Sequence, residues 1–112
     1  EHGIPAYDEL IIVAHRKRIE DTRLRQFVDA LEEAVQYLLN HPEESWSLFT
    51  RGERANLDDE LNRRAWRDTL PRFALRPGAL DINRYLRFAA FLKDQDMLSA
   101  SRPVKDYAVE LP

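Results

Sequence analysis

Tyr7, Asp8 and Glu9 are consecutive polar residues that follow Pro5 and lead into the apolar run Leu10-Ile11-Ile12-Val13-Ala14. That run has no alternation, so it suits a strand covered on both faces, as in a parallel sheet. Polar groups at the entry to such a strand sit where ligand crevices and interdomain hinges form in α/β proteins. A carboxylate there can accept from an amino group on a heterocycle, and a tyrosine can stack on its ring. The other reading is a polar strand entry with no ligand, and composition alone favours it. Tyr7, Asp8 and Glu9 are nonetheless the candidate ligand contacts.

The remaining chemistry-bearing residues assemble into nothing recognisable. His2, His15 and His41 are scattered and lack the spacing of a metal site, so they read as structural or surface histidines. No serine stands in G-x-S-x-G, and with 3 glycines the chain has no glycine-rich phosphate loop. The acidic pairs Glu32-Glu33, Glu43-Glu44 and Asp58-Asp59 fall on helix exteriors and read as solvated. Trp46 and Trp66 sit at helical spacing and read as core. The absence of cysteine excludes disulfides and thiolate metal sites. No catalytic residue, no metal ligand and no cofactor is expected. The 17 basic and 20 acidic residues give a charge of −3, which argues against a sequence-independent nucleic-acid binder.

The elements that must position the candidates are mostly helical. Leu24, Phe27, Val28, Leu31, Val35, Leu38 and Leu39 line one face, predicting a helix from about Asp21 or Thr22 to Leu39. His41-Pro42-Glu43-Glu44 restarts the chain as a short helix, with Trp46 and Phe49 inward and Gly52 as its end. Asn56 is the expected cap of a third helix, about Leu57 to Leu70, with Leu57, Leu61, Ala65 and Trp66 inward. Its outer face offers the i,i+4 pairs Asp59–Arg63 and Glu60–Arg64, and Pro71 should end it. Asp81 should cap a fourth helix, about Ile82 to Asp94, whose apolar positions wrap more than half its circumference. The expected organisation is one fragment, 1–112: a strand over 7–15, a helical region over 21–98 and an extended tail over 99–112.

A lone two-sided strand cannot satisfy its own backbone groups, so the chain reads as a piece of a larger α/β protein. An apolar content of 44% is ordinary and allows a core. No apolar stretch approaches the roughly 20 residues that span a bilayer. No signal peptide is visible; because the chain opens on Glu1, the native start is expected to lie upstream, with a removed targeting segment left open.

Several stretches together carry a family resemblance. They are Gly3-Ile4-Pro5-Ala6-Tyr7-Asp8-Glu9-Leu10-Ile11-Ile12-Val13-Ala14, the helix end Gln36-Tyr37-Leu38-Leu39-Asn40-His41-Pro42-Glu43-Glu44, Leu61-Asn62-Arg63-Arg64-Ala65-Trp66, and Thr69-Leu70-Pro71-Arg72-Phe73. The set resembles the C-terminal third of type II periplasmic substrate-binding proteins of ABC importers, in the subfamily binding thiamine pyrimidine precursors and related to the pyrimidine-synthase family. The resemblance implies a part, mainly α, of a two-lobe α/β fold in which Tyr7 to His15 returns to the first lobe. It implies binding of a hydroxymethylpyrimidine-like or formylaminopyrimidine ligand by lobe closure, with no chemistry on it. The implied partners are that ligand and an ABC permease, and the implied location is periplasmic, or exported and membrane-tethered. The synthase branch uses a cysteine-rich motif that this sequence lacks. Two alternatives stay open: a pyrimidine-precursor synthase of thiamine biosynthesis, and a free-standing helical interaction module. The uncovered strand also leads to an expectation that the chain associates with itself.

Overall fold

A computed structural model describes residues 3–51 and 56–111. Among the described residues it contains four α-helices, α1 Thr22–Asn40, α2 Pro42–Thr50, α3 Glu60–Thr69 and α4 Ile82–Asp94, with 3-10 turns at Arg16–Arg18, Leu70–Arg72 and Val104–Asp106. The mainly helical fragment expected from the periodicity is what forms. The chain divides into two compact units. An inner unit, Thr22–Gly78, holds α1 to α3; a terminal unit combines Glu1–Asp21 with Ala79–Pro112 and holds α4.

In the inner unit, α1 buries Val35 and α2 buries Trp46, which are 5% and 4% exposed. The rest of the α1 stripe is half-buried or, at Phe27, exposed. Pro42 takes the first helical position of α2, where its missing N–H costs no hydrogen bond, and Glu43 and Glu44 occupy the first turn. Arg51, in extended conformation, follows the last residue of α2; the expected terminator, Gly52, lies outside the described residues. Gly78 closes the unit against α1, because a Cβ there would come within 2.7 Å of Val28 Cγ1.

The start of α3 corrects the sequence reading. Asp59, not Asn56, is the cap: its carboxylate accepts from the Asn62 N–H at 2.8 Å, so the helix begins at Glu60. The expected i,i+4 pairs change with it. Arg63 turns to Asp58 at 2.8 Å, Glu60 engages Arg67 at 3.4 Å, and Arg64 faces Asp68 at 3.8 Å. Leu61, expected inward, is 77% exposed. Helix α3 ends at Thr69 and Pro71 sits in the following 3-10 turn, Leu70–Arg72, as proline's missing donor requires.

The strand expected over 7–15 does not form: no strand is present among the described residues. Leu10 is 95% exposed and Val13 81%. The physical reason is the one that made the run conspicuous, since a ladder needs a neighbouring strand and no described segment supplies one. The tail differs too. Within 99–112 a 3-10 turn, Val104–Asp106, buries Val104, so this stretch is a packed part of the terminal unit and not simply an extended tail. Arg16 ties the two ends of the chain by donating to the Asp106 carbonyl at 2.6 Å.

Candidate functional site

The terminal unit contains a cavity of about 480 Å³ whose lining comes from three segments. The N-terminal arm contributes Tyr7, Asp8 and Ile11; α4 contributes Arg84, Tyr85, Phe88 and Leu92; the return segment contributes Leu98, Ser101, Arg102 and Tyr107. Asp81 starts α4 by accepting from the Arg84 N–H at 3.0 Å, which fixes the register of the face that follows. At the other end Asp96 adopts a positive φ of 56°, and Met97 N–H returns to the Leu92 carbonyl at 2.9 Å. This left-handed residue reverses the chain so that the return segment can wall the cavity.

Two contacts hold the arm to α4. The Tyr7 ring stacks on Phe88 with centroids 4.6 Å apart and planes 9° from parallel. The Asp8 carboxylate accepts from the Arg84 guanidinium, which also approaches Asp81 at 3.8 Å. Asp8, first through its hydrogen bond and then through its charge, pushes the Arg84 pKa above its ordinary value. The Tyr85 and Tyr107 rings lie 5.9 Å apart. The result is an aromatic chamber with a few polar groups, of a size within the ~300–1,000 Å³ typical of small-molecule sites. It suits a flat heterocycle that stacks on a ring and presents an amino group to a carboxylate.

The structure thus brings Tyr7 and Asp8 to one cavity, whereas Glu9 is exposed and does not line it. Sequence reading missed Arg84, Ser101, Arg102 and Tyr107, and took Tyr85 and Phe88 only as helix-face residues. A signal existed for Arg84, a cation four residues before Phe88 and hence on the same aromatic stripe. Tyr107 had none, because its place depends on the turn that buries Val104. Among the described residues no group of three His, Asp or Glu side chains gathers to hold a metal ion. Nor is any described helix long and apolar enough to cross a membrane.

Desolvation, aided by the nearby Asp8 charge, pushes the Tyr85 phenol above its ordinary value of 10.0. The folded state therefore favours the neutral phenol. Its contribution to stability is complete below about pH 10 and is lost as pH rises through the raised value. Tyrosinate absorbance should show a late-ionising component that disappears in Tyr85→Phe. Tyr37, raised by its hydrogen bond to Glu44, should keep its own late component in both proteins. Identical titrations of wild type and Tyr85→Phe, apart from the loss of one ordinary tyrosine, would place Tyr85 in solvent.

Residues 1–45 match the family described as NMT1/THI5 like. The matched stretch carries the arm with Tyr7, Asp8 and Glu9, the whole of α1 and the start of α2. Over nearly its whole length the chain is 40% identical, across 111 residues, to a protein of Haemophilus influenzae named "Putative thiamine biosynthesis protein". The alignment takes in 99% of this chain and 35% of that relative, so the chain spans about a third of the relative's length. No solved structure matches the chain. Both matches agree with the resemblance that the residues carry, and the NMT1/THI5-like match falls on the stretch that reaches the cavity.

Proposed function

We propose that this chain is the C-terminal part of a solute-binding protein for ABC-type uptake of a thiamine pyrimidine precursor. The ligand is hydroxymethylpyrimidine-like or a formylaminopyrimidine, bound by lobe closure without chemical change. One observation carries the reading: the stretch that matches the NMT1/THI5-like family delivers Tyr7 and Asp8 to an aromatic cavity. Tyr7 offers a stacking surface and Asp8 an acceptor for a ring amine. The thiamine-related name of the Haemophilus relative supports the same ligand class. An ABC permease as partner, and a periplasmic or membrane-tethered location, belong to this proposal.

That relative's name speaks of biosynthesis, so a synthase of the same pyrimidine is the second reading. Calorimetry on a full-length protein carrying this segment separates the two. It should show saturable binding of an aminopyrimidine, weakened at least about tenfold by Tyr7→Ala or Asp8→Ala, with the pyrimidine recovered unchanged. This 112-residue chain alone should give no saturable heat, since the lobe closure that would bury most of the ligand needs the rest of the parent protein. Conversion of a precursor to the pyrimidine would favour the synthase. Micromolar binding by the short chain alone would mean that the site is complete without lobe closure.

A further inference from the structure

Asp8 is the only carboxylate among the described residues that line the cavity, and one of its oxygens is already engaged. Its Oδ1 accepts from Arg84 Nη1–H, and no described residue donates to its Oδ2. The guanidinium is held in turn by the start of α4. Arg84 Nε lies 3.8 Å from Asp81 Oδ2, while Asp81 Oδ1 accepts the Arg84 backbone N–H at 3.0 Å. A chain of charge-assisted contacts thus runs from a helix cap, through the guanidinium, to the cavity carboxylate. The Tyr7–Phe88 stack sets the arm against α4, but a stacked ring on the preceding residue leaves the Asp8 side chain its own rotamers. Arg84 is the contact that removes that freedom.

The second oxygen then decides what the carboxylate recognises. An ionised carboxylate offers lone pairs only, so Oδ2 favours an N–H and disfavours a carbonyl, an ether or an unprotonated ring nitrogen. The other polar side chains on the lining lack this bias. The hydroxyls of Ser101, Tyr85 and Tyr107 both donate and accept, and the Arg102 guanidinium only donates. Selection for a donor on the ligand therefore falls on Asp8. We propose that Arg84 is a positioning residue for ligand selection: it fixes the Asp8 carboxylate so that Oδ2 receives an exocyclic amino group, and the site takes amino-substituted rings over rings of the same shape without that N–H. This inference rests on the ligand reading above and adds to it the residue that sets the preference. As a tether the Asp8–Arg84 pair is weak, since both side chains stand partly in water, and orientation of the carboxylate is the contribution that remains.

Calorimetry on a full-length protein carrying this segment tests it with two probes: a hydroxymethyl aminopyrimidine, and the same ring with methyl in place of the amino group. Wild type should bind the amino probe at least about tenfold more tightly, the worth of one charge-assisted hydrogen bond. Arg84→Met keeps most of the side-chain stem but not the donor. It should bring the two affinities to within about twofold by weakening the amino probe alone. Arg84→Lys, which keeps a donor of different shape, should stand between the two. Asp8→Ala should also level the probes, and circular dichroism checks that each variant keeps its helices. An Arg84→Met protein that binds both probes equally more weakly would make Arg84 a tether and overturn the proposal, as would one that keeps the wild-type ratio. A preference that survives Asp8→Ala overturns it too. Wild type binding both probes alike overturns it while leaving the ligand reading in place, whereas wild type binding neither removes both.

Discussion

Trp46→Ala should remove about 3–5 kcal/mol from the inner unit, the range for truncating a buried large aromatic. Trp46 is 4% exposed and meets Trp66 edge-on at 5.6 Å and Phe49 at 6.2 Å. Its Nε1–H donates to Asp58 at 3.2 Å, and the Arg63 guanidinium lies over its ring, 5.2 Å from the centroid. The same Asp58 oxygen accepts from Arg63 at 2.8 Å, so indole, carboxylate and guanidinium form one closed cluster. Removing the ring leaves a cavity and takes away the surface on which Arg63 rests. Against a whole-domain stability of about 5–15 kcal/mol, such a loss is a large fraction. Trp46→Phe should cost much less, about 1–2 kcal/mol, because a ring stays in the cluster and Asp58 keeps Arg63. Both tryptophans lie in the inner unit, so in Trp46→Ala the emission of Trp66 reports that unit alone during denaturation. A midpoint for Trp46→Ala within the error of wild type would take the aromatic cluster out of the core.

The elements legible in the sequence are those whose signals are local. Pro42 with two glutamates behind it, Asp81 before an apolar stripe, and Pro71 after another each mark a helix end by satisfying or withholding a backbone donor. The third helix shows the limit of that logic. Asn56 and Asp59 are both competent caps, and the choice of Asp59 follows from Asp58 being held by Trp46 and Arg63, contacts that come from outside the segment. Burial was legible at Trp46 and Val35 but not at Val104, an isolated valine in a polar tail whose partners are distant in sequence. The apolar run at Leu10–Ala14 was read as a strand that needs neighbours; it forms no strand, and its backbone has no backbone partner among the described residues. At the candidate site, Tyr7 and Asp8 stood out as polar residues at the entry to an apolar run. The partners that orient them, Phe88 and Arg84, lie some eighty residues away, so no local pattern could announce the pairing.

Phe88→Ala should loosen the N-terminal arm far more than Arg84→Ala does. The Asp8 and Arg84 side chains are 34% and 39% exposed, so their ion pair works close to solvent and contributes about 0.2–1 kcal/mol. The stacked Tyr7–Phe88 pair adds about 0.5–1.5 kcal/mol beyond the apolar area that it buries. Phe88 also lies 6.3 Å from Phe91, so its removal should cost about 1–3 kcal/mol, a value set below the full-burial range because Phe88 is only half-buried. Trypsin is the direct probe of the arm, since Arg16, Lys17 and Arg18 sit at its C-terminal end. Cleavage there should be fastest in Phe88→Ala, only slightly raised in Arg84→Ala, and further raised in the double variant. Salt separates the two tethers: higher ionic strength should shrink the Arg84→Ala effect and leave the Phe88→Ala effect in place. A double-mutant cycle between Tyr7→Ala and Phe88→Ala should return a coupling of about 0.5–1.5 kcal/mol. A coupling of zero, with cleavage faster in Arg84→Ala than in Phe88→Ala, would mean that the ion pair and not the stack holds Tyr7 and Asp8 at the cavity.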